Sequence, residues 1–219
     1  MSLQVIPGEF RSLISCSSTQ SPNMSNTRSS QRSSSDPANQ RAVQEMILER
    51  TGREWCLFVD RDGVINRRIV GDYVRTCEDF EWLPNARRAL RLLRGGWAPH
   101  LVVVTNQQGV GKGLMSNDDL VAIHDHVQSV LSTDGVRVDG FQVCQHLEAA
   151  KCNCRKPRPE LILKWLANNP SSVPDLSIMV GDSRSDIQLA RNVAAEVGGC
   201  ASIRIGGSCR SGEYGRCVV

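Results

Sequence analysis

Three cysteines and one histidine lie within eleven residues in the second half of the chain, and two cations follow them directly. The four candidate ligands are Cys144, His146, Cys152 and Cys154. Thiolates and an imidazole are typical zinc ligands, and four of them close a tetrahedral shell without an open position for substrate. The spacing therefore predicts a structural Zn²⁺ that holds a loop. That loop ends at Arg155 and Lys156, which are suited to bind an anion.

Three aspartates elsewhere in the chain are candidate ligands for a harder metal ion. Asp60, Asp62 and Asp182 would repel one another in a single crevice unless a cation lay among them. Mg²⁺ fits this set because it prefers oxygen ligands and commonly binds a few carboxylates together with phosphate and water. The cation leaves an oxygen of Asp60 free to attack phosphorus, which predicts an aspartyl-phosphate intermediate.

Three further residues have side chains that suit the same reaction. Asp62 would protonate the leaving alcohol and later deprotonate the hydrolytic water. We expect neighbouring carboxylates to favour the protonated form of Asp62, which an acid needs. Thr105 and Lys156 would bind the equatorial phosphoryl oxygens as charge shifts during transfer. The sequence thus predicts Asp60, Asp62, Thr105 and Lys156 as the catalytic residues of a phosphomonoesterase.

These residues act together only if the fold brings them to one place, and the apolar runs of the sequence indicate how. Asp60, Thr105 and Asp182 each follow closely on a short apolar run that is typical of a buried strand. The runs cover residues 55–59, 101–104 and 178–180, and helix-like segments lie near residues 84–95, 116–131, 159–168 and 184–196. The alternation predicts an α/β, Rossmann-like fold with a parallel sheet and helices on both faces. In such sheets ligands bind beyond the carboxyl ends of the strands.

In this order the motifs resemble those of the haloacid dehalogenase (HAD) phosphatase superfamily. The four motifs are Asp60-x-Asp62, Thr105, Lys156 and Gly181-Asp182-x-x-x-Asp186, and the similarity extends over about residues 53–206. The Cys/His stretch narrows the resemblance to the small zinc-containing branch. That branch holds the heptose 1,7-bisphosphate phosphatases and the histidinol-phosphate phosphatases.

The resemblance implies a role for each matching residue. Asp60 would be the nucleophile and Asp62 the acid/base, while Mg²⁺ would be held by Asp60, the main-chain carbonyl of Asp62, and Asp182. The resemblance also implies that the four Cys/His residues bind zinc. Substrate contacts would come from Arg61, Asn66, Tyr73, Asn106, Gln107, Gln108, Arg155 and Lys156. Gln145 stands where the family usually has proline, which affects the stiffness of the zinc loop more than ligation.

Finer features favour the heptose branch. Residues 62–66 and 72–74 resemble the heptose pattern DGxIN…GYV, with an insertion before the tyrosine, and residues 105–113 also resemble the heptose enzymes. The gap of five residues between His146 and Cys152 is instead typical of histidinol-phosphate phosphatases. We expect the substrate to be D-glycero-D-manno-heptose 1,7-bisphosphate, which loses its C7 phosphate in nucleotide-activated heptose biosynthesis. Histidinol phosphate is the alternative.

Composition argues against several other classes. A net charge of +3 over 219 residues is too small to indicate nucleic acid as an obligate partner, and a polynucleotide 3′-phosphatase would be expected to show a stronger basic stripe. A non-catalytic zinc module has no need of the full catalytic set. The sequence contains no run of eighteen apolar residues, so we expect no membrane span. Nine cysteines, an odd number, argue against a secreted disulfide framework, and we expect a cytoplasmic monomer.

The chain divides into three segments of different composition. Serine accounts for twelve of the first 40 residues, which predicts disorder over residues 1–45, a phosphatase domain over 46–207 and a flexible tail over 208–219. About forty residues separate the first two predicted strands and leave no room for a large cap domain. Specificity is therefore expected to come from short loops at residues 66–75 and 106–113 and from the zinc loop. His124 and His126 are expected on the surface of a helix.

Overall fold

A five-stranded parallel sheet in the order β3-β2-β1-β4-β5 forms the centre of the protein. The structure is a computed structural model that describes residues 37–50, 52–96 and 100–206. The strands are β1 (Cys56–Val59), β2 (His100–Asn106), β3 (Gly140–Cys144), β4 (Ile178–Gly181) and β5 (Ala201–Arg204). This sheet confirms the predicted α/β class. Residues 1–36 of the predicted disordered segment and the predicted tail lie outside the described residues.

One helix precedes β1, and the others lie between successive strands. They are α1 (Pro37–Leu48), α2 (Ala86–Gly96), α3 (Gln108–Gly111), α4 (Asn117–Thr133), α5 (Glu160–Asn168) and α6 (Arg184–Val197). All four helical segments expected from the sequence are present, as α2, α4, α5 and α6. Helix α4 begins with a capping box, in which the Ser116 side chain accepts from the backbone N–H of Asp119 and the Asp119 carboxylate accepts from that of Ser116.

Strands β1, β2 and β4 are largely buried on both faces because helices pack on each side of the sheet. Leu57 and Val59 of β1 belong to a core cluster that also contains apolar residues of α1, α2 and α4. Phe58, between them, belongs to a second cluster with residues of α5 and α6. Alternate residues of a strand point to opposite faces, so the central strands read as continuous apolar runs. This confirms the prediction of helices on both faces.

Helix α1 corrects the predicted boundary at residue 45. It begins at Pro37, inside the segment predicted to be disordered, and continues beyond that boundary to Leu48. Val43, Met46 and Ile47 are buried in the first core cluster. Their spacing of three and four residues places them on one helical face. The preceding serine-rich composition concealed this short amphipathic pattern.

The carboxyl ends of β1, β2 and β4 form the edge at which the predicted site residues meet. Strand β1 lies between β2 and β4, and the order of strands along the chain reverses between β1 and β4. In open parallel sheets this switch point is where a ligand crevice forms. Between β1 and β2, the described residues form a loop and α2 rather than a separate cap domain. Within the described part of the chain, no helix has the length and apolar character needed to span a membrane.

Candidate active site

Lys156 lies at the centre of a buried cluster of charges. Its Nζ is 2.7 Å from Oδ1 of Asp60 and 2.7 Å from Oδ1 of Asp186, and it donates to the carbonyl of Val104 at 3.0 Å. Burial opposes the charged form, but attraction to the two aspartates outweighs it and raises the pKa of Lys156 above its ordinary value. Lys156 is therefore a fixed cation at the carboxyl edge of the sheet.

Asp60 follows β1 directly and is held from several sides. Its backbone N–H donates to the carbonyl of Val180 at 2.9 Å, and its Oδ1 accepts from the backbone N–H of Arg61 at 2.7 Å. Burial raises the pKa of Asp60 to about 7, although Lys156 opposes the rise, and Asp186 adds to it. The cluster thus carries more negative charge than one lysine balances. A divalent cation would supply the missing charge.

Three carboxylates of this cluster form a group that suits a metal ion. Oxygens of Asp60, Asp182 and Asp186 all lie within 4.8 Å of one another. Oδ1 of Asp182 is buried and has no hydrogen-bond partner among the described residues, and burial followed by repulsion from Asp186 raises the pKa of Asp182. A buried carboxylate oxygen without a partner, within an all-oxygen set, fits Mg²⁺. The part of Asp62 in holding that ion, through its main-chain carbonyl, stays a prediction.

Two glycines allow these aspartates to approach one another. Gly63 has a φ of +90°, and a Cβ at this position would lie 2.2 Å from Oδ2 of Asp182. A Cβ on Gly181 would lie 2.2 Å from the Cβ of Asp186. A side chain at either position would displace a carboxylate of the cluster, so both glycines belong to the architecture of the site.

Asp186 was not predicted as a site residue, although it closes the fourth motif. Its carboxylate accepts from the backbone N–H of Ser183 at 3.1 Å and from the Ser183 hydroxyl at 2.5 Å, which caps helix α6. The same side chain is fully buried and pairs with Lys156. The signal was present in the Gly181-Asp182-x-x-x-Asp186 spacing. That spacing is also typical of an ordinary helix cap, so the pairing with Lys156 was not visible in the sequence.

The surroundings of Asp62 differ from the expectation that neighbouring carboxylates keep its proton on. Its Oδ1 accepts from Nδ2 of Asn66 at 2.9 Å and from Nη2 of Arg61 at 3.1 Å, while its Oδ2 accepts from Nε2 of Gln107 at 2.7 Å. Burial raises the pKa of Asp62, but attraction to Arg61 and these hydrogen bonds outweigh burial and lower it overall. The expectation was wrong because donors, rather than acids, surround this carboxylate.

The structure does not place the side chains of Arg61, Asn66 and Gln107, which were predicted to contact substrate, in the cavity. Each of these side chains is 0% exposed, and none lines the cavity above Asp60. All three point toward Asp62 instead. The motif placed them near the site, but packing behind Asp62 sets the direction of their side chains.

A cavity of about 410 Å³ opens above Asp60 and Lys156. Four of the predicted substrate residues line it besides Lys156: Tyr73, Asn106, Gln108 and Arg155. Two cations that the sequence reasoning missed, Arg68 and Lys112, also line it. Arg68 lies in the loop before Tyr73, and its Nη1 is 3.6 Å from Oδ2 of Asp182. The cavity is therefore a cationic crevice with a carboxylate floor.

Asn106 and Arg155 connect the cavity to the zinc loop. Oδ1 of Asn106 accepts from the backbone N–H of Lys156 at 3.0 Å, and its Nδ2 donates to the carbonyl of Lys156 at 3.3 Å. Nη1 of Arg155 is buried and has no hydrogen-bond partner in the described part of the chain. The guanidinium therefore retains a donor for an anion in the cavity.

Gln108 joins the cavity rim to the zinc loop from the other side. Its Nε2 donates to the hydroxyl of Tyr73 at 3.4 Å, and its Oε1 accepts from the backbone N–H of Glu148 at 2.8 Å. Nζ of Lys112 lies 5.3 Å from the centre of the Tyr73 ring, within the range of a cation–π contact. The loop before α2, helix α3 and the zinc loop thus meet at the mouth of the cavity.

The four predicted zinc ligands converge. Sγ of Cys144 is 3.6 Å from Sγ of Cys152 and 3.8 Å from Nδ1 of His146. Sγ of Cys154 is 3.5 Å from Sγ of Cys152 and 3.1 Å from Nδ1 of His146. Tetrahedral zinc with Zn–S bonds of about 2.3 Å separates its sulfur ligands by roughly 3.8 Å. The arrangement fits Zn²⁺ bound through Nδ1 of the imidazole, and no ligand position is left for substrate.

His124 is buried, contrary to the expectation of a surface histidine. Its ring stacks on Phe141 with a centroid separation of 4.3 Å. Burial, together with the positive charge of Arg61, lowers the pKa of His124 to about 3. The imidazole is therefore neutral and part of the packing between α4 and β3.

Comparison with known proteins gives close relatives. The chain is 62% identical over 167 residues to the D-glycero-α-D-manno-heptose-1,7-bisphosphate 7-phosphatase of Mycobacterium tuberculosis (strain CDC 1551 / Oshkosh), covering 76% of this chain and 87% of that protein. It is 36% identical over 146 residues to the D-glycero-β-D-manno-heptose-1,7-bisphosphate 7-phosphatase of Rhodopseudomonas palustris. That match covers 64% of this chain and 79% of the relative. No family profile matches the chain.

Two solved structures share the fold. The D,D-heptose 1,7-bisphosphate phosphatase of B. bronchiseptica, complexed with magnesium and phosphate, has a TM-score of 0.61 and 31% identity, covering 68% of this chain and 79% of that chain. A HAD-like phosphatase of Mesorhizobium loti has a TM-score of 0.63 and 26% identity, covering 76% and 80%. These four matches cover between 64% and 76% of this chain.

Proposed function

The chain belongs to the heptose 1,7-bisphosphate 7-phosphatase family of the HAD superfamily, and from this we propose that it is a magnesium-dependent phosphomonoesterase. Its proposed reaction removes the C7 phosphate of D-glycero-α-D-manno-heptose 1,7-bisphosphate. The observation that carries the proposal is the pairing of Asp60 with Lys156 at 2.7 Å beside the unpartnered carboxylate of Asp182. The α anomer is preferred because the α-specific relative is 62% identical, against 36% for the β-specific relative quoted above.

In the first half of the reaction, Asp60 is the nucleophile. A carboxylate oxygen attacks phosphorus, the bond from phosphorus to the C7 oxygen breaks, and Asp62 gives a proton to the leaving alcohol. Mg²⁺, held by Asp60, Asp182 and the Asp62 carbonyl, would neutralise the phosphate charge that otherwise repels the nucleophile. Asp60 is then an aspartyl phosphate.

In the second half, water replaces the enzyme oxygen on phosphorus. Asp62 takes a proton from that water, the Asp60–phosphorus bond breaks, and the electron pair returns to the Asp60 carboxylate. The lowered pKa of Asp62 keeps it ionised in the free protein, which is the form that a base requires. The acid role of the first half requires that Asp62 first take up a proton from solvent, against the preference of the three donors around it.

Thr105 and Lys156 bind the transferring phosphoryl group in this proposal. Oγ1 of Thr105 accepts from Nε2 of Gln107 at 2.9 Å, so its own hydrogen is left to donate to a phosphoryl oxygen. Lys156 supplies a charge that is already buried and fixed by Asp60 and Asp186, so little reorganisation is needed during transfer.

The sugar and its second phosphate would lie toward the mouth of the cavity. Tyr73, Asn106 and Gln108 offer polar groups there, and Arg155 has a free donor for the outer phosphate. Arginine can bind phosphate with two parallel hydrogen bonds, which gives orientation as well as affinity. This assignment replaces the predicted contact from Asn66, whose side chain is buried behind Asp62.

We also propose that zinc in the Cys/His cluster is structural and that the protein works in the cytoplasm. Zinc binding requires thiolates, and the described cysteines are all free rather than paired in disulfides. The expected monomeric state stays a prediction.

A substrate panel tests the proposal. Phosphate release should be measured with Mg²⁺ on the α and β anomers of heptose 1,7-bisphosphate, histidinol phosphate and a 3′-phosphorylated oligonucleotide. We expect the highest kcat/KM on the α anomer, with ³¹P NMR showing that the remaining phosphate is on C1. Faster turnover of histidinol phosphate would make that amino alcohol the substrate, in line with the short gap between His146 and Cys152.

A further inference from the structure

Gln107 connects three parts of the site without facing the cavity. It follows β2 and is 0% exposed, and its backbone N–H donates to the carbonyl of Cys144 at 2.7 Å. Its Nε2 donates to Oδ2 of Asp62 at 2.7 Å and to Oγ1 of Thr105 at 2.9 Å. The residue thus ties the end of β3, where the zinc ligands begin, to two residues of the reaction.

The amide group suits this position because its nitrogen carries two hydrogens. One is directed to the carboxylate of Asp62 and the other to the hydroxyl of Thr105, so a single group fixes the relative orientation of both. An ionised Asp62 can only accept hydrogen bonds, so the nitrogen of the Gln107 amide, and not its oxygen, faces the carboxylate.

The two oxygens of Asp62 are held unequally. Oδ1 accepts from Asn66 and from two nitrogens of Arg61, whereas Oδ2 accepts from one nitrogen of Arg61 and from Gln107. The contact from Gln107 is the shortest of these, at 2.7 Å. Without it, Oδ2 would keep one donor at 3.1 Å, and the carboxylate would be free to turn about the contacts made by Oδ1.

We infer that Gln107 is a positioning residue that holds Asp62 and Thr105 in the orientation needed to hydrolyse the aspartyl phosphate. This inference rests on the proposed function. In the step concerned, a water oxygen bonds to phosphorus, the Asp60–phosphorus bond breaks with its electron pair returning to Asp60, and the water proton passes to Asp62. Gln107 touches neither water nor phosphate and acts through Asp62 and Thr105.

The test uses p-nitrophenyl phosphate, whose leaving group departs as a stable anion and needs no acid. Formation of the phosphoenzyme is then independent of proton donation, while its hydrolysis still requires the base. Gln107→Met keeps the side-chain volume close and removes both donors. We expect turnover to fall by about tenfold or more. We expect the fraction of Asp60 that carries phosphate after acid quenching, measured by mass spectrometry, to rise above that of wild type.

Thr105→Val provides the matched control, because Thr105 is proposed to bind the phosphoryl group directly. It should lower turnover and the phosphorylated fraction together. Gln107→Ala repeats the test with a smaller side chain should the Met variant fold poorly. Unchanged turnover in a folded Gln107 variant, or a fall in turnover without a rise in phosphoenzyme, would overturn the inference.

The same experiment separates this inference from the proposed function. p-Nitrophenyl phosphate does not report on the sugar, so a wrong assignment of the natural substrate leaves the comparison of variants decisive. Absence of phosphate on Asp60 in every protein, wild type included, would instead contradict the covalent mechanism and the inference built on it.

Discussion

At the scale of single residues, the site contains two aspartates with opposite electrostatic surroundings. Burial raises the pKa of Asp60 to about 7 against the pull of Lys156, and the neighbouring carboxylates of Asp186 and Asp62 add to the rise. Asp62 lies among donors, and its pKa is lowered. The sequence places both residues in one motif, Asp60-x-Asp62, but it does not show which neighbours each one meets. Environment, rather than residue type, distinguishes the proposed nucleophile Asp60 from the proposed base Asp62.

Arg155 gives a residue-scale prediction about substrate recognition. Arg155→Lys should raise KM for the heptose bisphosphate by about tenfold or more, because lysine cannot reproduce a two-point contact with the outer phosphate. KM for a simple monophosphate should change little, since that substrate has no outer phosphate. Steady-state kinetics on the two substrates provide the measurement. Equal changes in KM for both would show that Arg155 does not contact the second phosphate.

His124 gives a prediction about stability and pH. Its pKa is lowered from 6.5 to about 3 in the folded protein, so between these values the unfolded chain binds a proton that the folded chain does not. The contribution of His124 to the free energy of unfolding is therefore complete above pH 6.5, and it falls as the pH is lowered below that value. His124→Phe should lose less stability than wild type between pH 7 and pH 5 in urea unfolding. His126→Phe, at a half-buried position of the same helix, serves as control. An unchanged dependence of stability on pH in His124→Phe would contradict the assignment.

At the scale of elements, Lys156 is held in place by the loop that carries the proposed zinc ligands. Cys154 and Lys156 are two residues apart, and Asn106 on β2 holds the backbone of Lys156 by two hydrogen bonds. The close approach of α3 depends on Gly111, where a Cβ would lie 2.5 Å from the carbonyl of Gln145. The loop is thus fixed between β2, α3 and the proposed zinc ion.

Removal of a zinc ligand should affect metal content, stability and activity together. Cys152→Ser is expected to lose a zinc ion that otherwise co-purifies at about one per chain, and to lower both Tm and kcat. The matched control is Cys77→Ser, because Cys77 is a free thiol outside the cluster. Metal analysis and thermal unfolding of both variants give the answer. A zinc-free Cys152→Ser protein with full stability and turnover would remove the scaffold role.

Magnesium removal should act differently from zinc removal. The proposed Mg²⁺ ligands come from the ends of β1 and β4, which the sheet holds in place without the ion. We expect EDTA treatment brief enough to spare zinc to abolish turnover, and added Mg²⁺ to restore it, with unchanged far-UV circular dichroism. Irreversible loss of activity or of helical signal would indicate that the two metals do not have separate roles.

At the scale of the whole molecule, the sequence predicts the centre of the fold better than its margins. Strands β1, β2 and β4 each have a neighbouring strand on both sides and helices over both faces, so their sequences are continuous apolar runs. Edge strand β3 is largely half-buried, and β5 is a four-residue edge strand, so neither has a strong apolar pattern. Helix α1 was missed for a related reason, because its apolar face is short and follows a serine-rich segment.

The same contrast applies to the site. Residues at strand ends, such as Asp60 and Asp182, could be located because strand polarity brings them to one edge. Side chains that pack behind the reacting groups could not be assigned, because a motif gives position along the chain but not direction. Arg61 and Gln107 were therefore predicted as substrate contacts, and the structure places their side chains behind Asp62.

Replacement of the nucleophile tests the central claim most directly. Asp60→Asn keeps the size of the side chain but removes the charge that attacks phosphorus and partners the metal. The matched control is Asp118→Asn on the exposed first turn of α4. Phosphate release from the α-heptose bisphosphate should become undetectable in Asp60→Asn and stay at the wild-type level in Asp118→Asn, with both proteins folded. Activity of Asp60→Asn within tenfold of wild type would contradict the covalent mechanism.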